Sequence, residues 1–123
     1  MKNWLLAFVL SVSALFPTDA CQAEEYEVMR SSWYGPGLEG NRMPNGRIFR
    51  SSDPTVAAHK TLPLGTPLWV TNPRNGKTLI VIVQDRGPYI RGRQLDLSRA
   101  AADKLGYLHE GVTPLHVTII TKK

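Results

Sequence analysis

From residue 27 onward the hydrophobic positions come in short runs, mostly alternating with polar ones and broken by glycine, proline and asparagine. That rhythm predicts short strands joined by turns. Glu27 to Tyr34 reads as a strand stopped by Gly35-Pro36-Gly37, and a polar connection follows with turn signals at Asn45-Gly46 and Asp53-Pro54. Val56 to Lys60 fits a strand or a single helical turn, and Leu62-Pro63-Leu64-Gly65 a turn. Pro67 to Asn72 and Thr78 to Val83 flank an Asn75-Gly76 pair, whose tolerance of positive φ predicts a hairpin. Ser98 to Leu105 predicts the one helix, with Ser98 or Asp96 as its cap, Gly106 as its stop, and Leu97, Ala101 and Leu105 as its buried stripe. Leu115 to Ile120 reads as a last strand. Many short strands and one short helix make a mostly β barrel the expected architecture.

One run breaks the rhythm. Val81-Ile82-Val83-Gln84 continues directly into Asp85, then Arg86-Gly87-Pro88-Tyr89. A carboxylate at the end of an apolar strand has two readings. It either accepts backbone hydrogen bonds in its own turn, or burial raises its pKa and readies it as an acid. Arg86 opposes the second reading only if it touches Asp85, and neighbouring strand side chains point to opposite faces.

Composition narrows the setting. The first residues, MKNWLLAFVLSVSALFPTDACQA, place Lys2 before an apolar run from Trp4 to Phe16 and then Pro17 and small residues. This is expected to be a secretory signal peptide, residues 1–23, too short to be a stable membrane span. Cleavage after Ala23 is favoured over a lipid anchor on Cys21, because Thr18 and Asp19 do not suit a lipoprotein signal. Residues 24–29 then form a lead-in and 30–120 the domain. With one cysteine the chain forms no internal disulfide, so packing and strand pairing must stabilise it. The net charge of +5 survives removal of the leader, which takes away Lys2 and Asp19 alike. With no basic run longer than two and no nucleic-acid motif, an acidic wall polymer is a more natural partner than nucleic acid. A monomer in the periplasm or cell envelope is expected.

Few residues offer chemistry. His59, His109 and His116 are scattered and no cysteine pair accompanies them, so neither metal nor cofactor is implied. Serine-hydrolase and phosphate-loop signatures are missing. Asp96 reads as a helix cap rather than a second acid, while Asp103 and Glu110 look exposed and Glu39 sits in a Gly-rich loop. Only Asp85 ends an apolar strand.

Several blocks together resemble a known family. Ser32-Trp33-Tyr34-Gly35, Asn45-Gly46, Ala57-Ala58-His59-Lys60-Thr61-Leu62-Pro63-Leu64-Gly65-Thr66, Val70-Thr71-Asn72, Asp85-Arg86-Gly87-Pro88 and Asp96-Leu97-Ser98 occur in the order found in the rare lipoprotein A family. The resemblance covers residues 30 to 120. It implies a six-stranded double-psi β-barrel with one or two short helices. It also implies a lytic transglycosylase that cuts peptidoglycan between N-acetylmuramic acid and N-acetylglucosamine, preferring strands without stem peptides, with no cofactor. The family's catalytic acid falls on Asp85 and its assisting histidine on His59, although a structural histidine beside Leu62 and Leu64 is the competing reading.

Substrate contacts are open to a similar weighing. Trp33, Tyr34 and Tyr89 are candidates for a platform under sugar C–H faces, with core packing the alternative for Trp33 and Tyr34; Trp69 suits either a platform or the core. Arg86, Arg91 and Arg93 are candidates for the lactyl carboxylate of denuded muramic acid, which an arginine grips bidentately. Two departures from the family stand out. Arg47 occupies the position after Asn-Gly where members commonly carry a supporting glutamate. Many members also have a C-terminal glycan-binding domain, which these residues do not include, so septal recruitment is not expected from them. A non-catalytic, expansin-like wall-binding module is therefore the alternative function. A hydrolase would need a partner carboxylate for Asp85, and the sequence nominates none.

Overall fold

The computed structural model describes residues 25–34 and 36–121, so the leader, its cleavage site and Cys21 lie outside the described residues. The strands are β1 (Glu27–Trp33), β2 (Val56–His59), β3 (Pro67–Thr71), β4 (Thr78–Asp85), β5 (Leu95–Leu97) and β6 (Thr113–Ile119). They close into a barrel in the order β1-β5-β2-β4-β3-β6. Two pairs, β1–β5 and β2–β4, run parallel, and the other four antiparallel. Val56 to Lys60 thus resolves as a strand. The lead-in is shorter than expected: β1 begins at Glu27, where pairing to Val117 of β6 already fixes the chain.

Alternation fills the barrel. Leu68 and Val70 of β3, Val81 and Val83 of β4, Leu95 and Leu97 of β5, and Leu115 of β6 are fully buried together. Each such side chain contributes about 1.5–3 kcal/mol by leaving water. The β3–β4 hairpin is as predicted, with Trp69 directly opposite Ile80. Trp69 itself faces outward and is 46 % exposed, which removes the core reading; its neighbours Leu68 and Val70 occupy the interior side of the strand. No helix among the described residues is long and apolar enough to cross a membrane.

The helix α1 (Arg99–Leu105) plugs one end of the barrel through Ala101, Ala102 and Leu105. Ser98 alone caps it, accepting from the Ala101 amide at 3.1 Å. Asp96 is not a cap, because it lies inside β5, two residues before Ser98. At the other helix end Gly106 adopts φ 81°, and its amide donates to Ala102 and Asp103 carbonyls. Asn72 and Asn75 of the hairpin turn both donate to the Leu105 carbonyl, at 2.8 and 3.1 Å, so hairpin and helix end are tied together. A Cβ on Gly106 would sit 2.6 Å from Asn75 Nδ2. Gly106→Ala is expected to cost about 2–3 kcal/mol, from left-handed strain and the disturbed amide contact. For a domain of this size that lowers the melting temperature by roughly 10 °C, which calorimetry would read.

Candidate active site

A β-bulge decides where Asp85 points. Val81 and Val83 face the barrel interior, so strict alternation would send Asp85 inward with them. Between the pairs Val83–Ala57 and Asp85–Ala58, however, β4 uses two steps where β2 uses one. The extra residue reverses the alternation and brings Asp85 out into a cavity beside the barrel. Gln84 secures the bulge: its Nε2 donates to the Thr55 carbonyl and hydroxyl at 3.3 Å, and its Oε1 accepts from Asn45 Nδ2 at 3.1 Å. The apolar strand ends on an aspartate because a strand this rigid can aim one.

The carboxylate is gripped on both oxygens. Oδ1 accepts from the Arg86 amide at 2.8 Å and Oδ2 from the Tyr34 hydroxyl at 3.1 Å. Tyr34 is held in turn by stacking on Phe49, with ring centroids 4.5 Å apart. Burial pushes the Tyr34 hydroxyl far above the usual phenol range, and the nearby Asp85 and Asp96 charges add to that. Tyr34 therefore stays a proton donor to Asp85 at any physiological pH.

The cavity holds about 430 Å³. Asp85, Ala58 and Asp96 lie along its barrel side, and Tyr34, Met43 and Phe49 also line it. Arg86 and Tyr89 contribute from the β4–β5 connection. Asp96 is the residue that sequence reasoning missed. It pairs with Ala58 on one side and Ser32 on the other, and its Oδ1 accepts from Ser32 Oγ at 3.1 Å. Burial raises its pKa to about 6, with Asp85 adding to the rise and Ser32 and Arg93 opposing it. A larger hollow, about 830 Å³, lies between the N-terminal lead-in and β6, away from these acids.

The other predicted site residues divide. Tyr89 is 76 % exposed at the cavity's rim, available to a ligand. Trp33 faces away: it packs against the barrel core, and its Nε1 donates to the Leu108 carbonyl at 3.3 Å. Its β5 partner, Leu97, is an interior residue, which fixes that orientation. Arg86 lines the cavity, but its Nη1 donates to the His59 and Leu62 carbonyls at 3.0 and 2.7 Å, clamping the turn after β2. Arg91 and Arg93 lie on the β4–β5 loop and neither lines the cavity, though Arg93 is close enough to Asp96 to pull its pKa down. Arg47 is exposed and likewise not part of the lining.

His59 and Asp85 line different cavities. One step along β2 from Ala58, His59 faces a hollow of about 360 Å³ with Glu27, Met29, Lys60 and Leu62. Its Nδ1 accepts from the Thr61 and Leu62 amides, both at 3.1 Å. The proton of the neutral ring is thereby assigned to Nε2. Burial lowers the His59 pKa; Arg86 and Lys60 act in the same direction and Glu27 against it. Through Nδ1, His59 ties down the turn that follows β2.

Six strands closed with two parallel pairs, and two aspartates on one outer face, define a double-psi β-barrel with an acid-lined cavity. Comparison with known proteins agrees. Residues 26–117 match the family model described as "Lytic transglycolase", and the chain belongs to that family, in its RlpA-like branch. The "Probable endolytic peptidoglycan transglycosylase RlpA" of Aquifex aeolicus is 48 % identical over 90 residues, covering 73 % of this chain and 39 % of that protein. The "Endolytic peptidoglycan transglycosylase RlpA" of Campylobacter jejuni is 35 % identical over 119 residues, covering 97 % and 42 %. The chain thus spans about two fifths of the length of these relatives. Among solved structures, Streptomyces papain inhibitor superposes with TM-score 0.63 at 23 % identity, covering 79 % of this chain and 96 % of that one. Apo Clavibacter michiganensis expansin superposes with TM-score 0.61 at 25 % identity, covering 80 % and 52 %.

Proposed function

We propose that the protein is an endolytic lytic transglycosylase acting on peptidoglycan glycan strands outside the cytoplasm, with a preference for strands that have lost their stem peptides. The observation that carries this reading is Asp85 held on both oxygens at the wall of a cavity, in a barrel of the lytic transglycolase family. Asp85 would donate its proton to the glycosidic oxygen as the bond to the muramic anomeric carbon breaks. The muramic 6-hydroxyl then closes on that carbon, giving a 1,6-anhydro ring. No water enters the product. Tyr34 positions the acid, and Tyr89 supplies a flat exposed ring for a sugar at the rim.

The test is incubation with amidase-stripped peptidoglycan strands, read by mass spectrometry. Anhydro-muramic ends are the expected product. Intact strands that co-sediment with the protein would instead make it a non-catalytic, expansin-like wall-binding module. Tyr34→Phe keeps the ring stack and loses the hydroxyl hold on Asp85 Oδ2. Losing that hydrogen bond should cost about 1–3 kcal/mol of stability, read as a lower denaturation midpoint, and turnover should fall because Asp85 is no longer held at Oδ2, while binding of strands is kept.

A further inference from the structure

We propose that Asp96 and Ala58 form the pocket by which this cavity selects a 2-acetamido sugar: the carboxylate accepts the amide N–H, and the acetyl methyl packs on Ala58. The inference rests on the transglycosylase reading and deepens it, by naming the group through which the glycan is recognised.

Geometry carries it. Asp85 of β4, Ala58 of β2, Asp96 of β5 and Ser32 of β1 stand in one register across four neighbouring strands. Side chains paired across a ladder share a face, and Asp85, Ala58 and Asp96 line one cavity. Leu95 and Leu97, buried in the barrel, fix Asp96 from behind, and Ser32 Oγ donates to its Oδ1. Among the described residues no donor reaches the other oxygen. Nor is that oxygen sealed in, for the one buried side-chain oxygen or nitrogen without a partner among the described residues is Thr113 Oγ1. A carboxylate oxygen open to a cavity takes an N–H or O–H from a ligand.

What lies beside the oxygen chooses the ligand group. Asp96 pairs with Ala58, which belongs to an apolar cluster whose Tyr34, Met43 and Phe49 also line the cavity. A hydroxyl or an ammonium would satisfy Asp96 and leave that wall against water. In a trans secondary amide the N–H and the acyl methyl lie on one edge and the carbonyl on the other. An acetamido group therefore offers a donor and a methyl to the same wall, which matches an acceptor beside an apolar surface. The placement also serves the chemistry. Two inter-strand steps set the α-carbons of Asp85 and Asp96 about 9.5 Å apart. On a muramic ring the carbon bearing the acetamido group is bonded to the anomeric carbon, so holding that group at Asp96 brings the bond to be broken towards Asp85.

The experiment titrates the protein with three β-1,4-linked hexamers that differ only at carbon 2: chitohexaose with acetamido, cellohexaose with hydroxyl and the glucosamine hexamer with ammonium. Backbone amide NMR shifts report affinity, location and folding together. Chitohexaose should bind roughly tenfold or more tightly than cellohexaose, the discrimination that one apolar group in a pocket provides, and should move the Ala58 and Asp96 signals. Asp96→Leu, similar in size and without an acceptor, should weaken chitohexaose about tenfold or more. Ala58→Val, a substitution suited to a strand, fills the methyl space and should abolish the preference while cellohexaose binds as before. Should Asp96→Leu fail to fold, the valine variant still decides.

Equal affinity of the wild type for chitohexaose and cellohexaose overturns the proposal, as does a preference that Ala58→Val leaves in place. Tightest binding of the glucosamine hexamer would make Asp96 a counter-ion and overturn it too, as would no saturable binding of any hexamer. Amidase-stripped strands separate this inference from the reading beneath it. An acetamido preference in a protein that leaves those strands uncut keeps the pocket and sinks the transglycosylase reading. Anhydro ends without the preference sink the pocket alone.

Discussion

Asp85→Asn should leave glycan strands uncut. The substitution keeps the size of the side chain and an oxygen for the Arg86 amide, so the bulge and the barrel remain. The variant lacks an acidic proton at the place where the leaving oxygen must be protonated. General-acid catalysis is worth about 10²–10⁴ in rate, and the anhydro product should fall by that factor. Melting temperature and co-sedimentation with strands should stay close to the wild type, which separates lost chemistry from lost folding. If more than about a tenth of the activity survives, well short of that factor, the acid lies elsewhere. Asp96 would be the residue to replace next.

Arg86→Met should unfold the protein more easily before it says anything about substrate. The guanidinium makes two charge-assisted bonds to the His59 and Leu62 carbonyls, and it does so within one residue of Asp85. Methionine fills much of the same space and satisfies neither carbonyl. Loss of charged hydrogen bonds of about 1.5–3 kcal/mol each predicts a destabilisation of roughly 3–4 kcal/mol, allowing for partial rehydration. Denaturant melts would show this as a lower midpoint with an unchanged slope. A substrate-binding arginine would behave differently: KM would rise and the midpoint would hold. Finding that second pattern would return Arg86 to the role of gripping a muramic carboxylate.

Most of the barrel was legible because period-two alternation and turn residues report on it directly. The Asn75-Gly76 hairpin, the Ser98–Gly106 helix boundaries and the apolar run into Asp85 needed no tertiary information. What could not be read was direction. A bulge shows no local signature, so nothing at Gln84 announced that Asp85 would turn away from the interior. Asp96 was hidden by proximity: two residues before a capping serine, it looked like part of the cap. Yet Leu95-Asp96-Leu97 is itself a period-two pattern, one carboxylate between two interior leucines. Three residues are too few for that pattern to outweigh the helix signal beside it. Trp33 and Trp69 fell opposite ways because an aromatic on a two-faced strand carries no mark of which face is covered until its cross-strand partners are known.

The interval between Asp85 and Asp96 is a property of the main chain. Hydrogen-bonded ladders on either side of β2 set it, and neither loop length nor rotamer choice alters a strand spacing of about 4.8 Å. The other wall is of a different kind, with Met43 and Phe49 carried on the connection between β1 and β2 and Tyr89 on that between β4 and β5. Sequence drift in those connections reshapes what the cavity admits without changing the gauge between the two acids. A change at Ala58 would do the reverse, crowding the gap while leaving the rim intact.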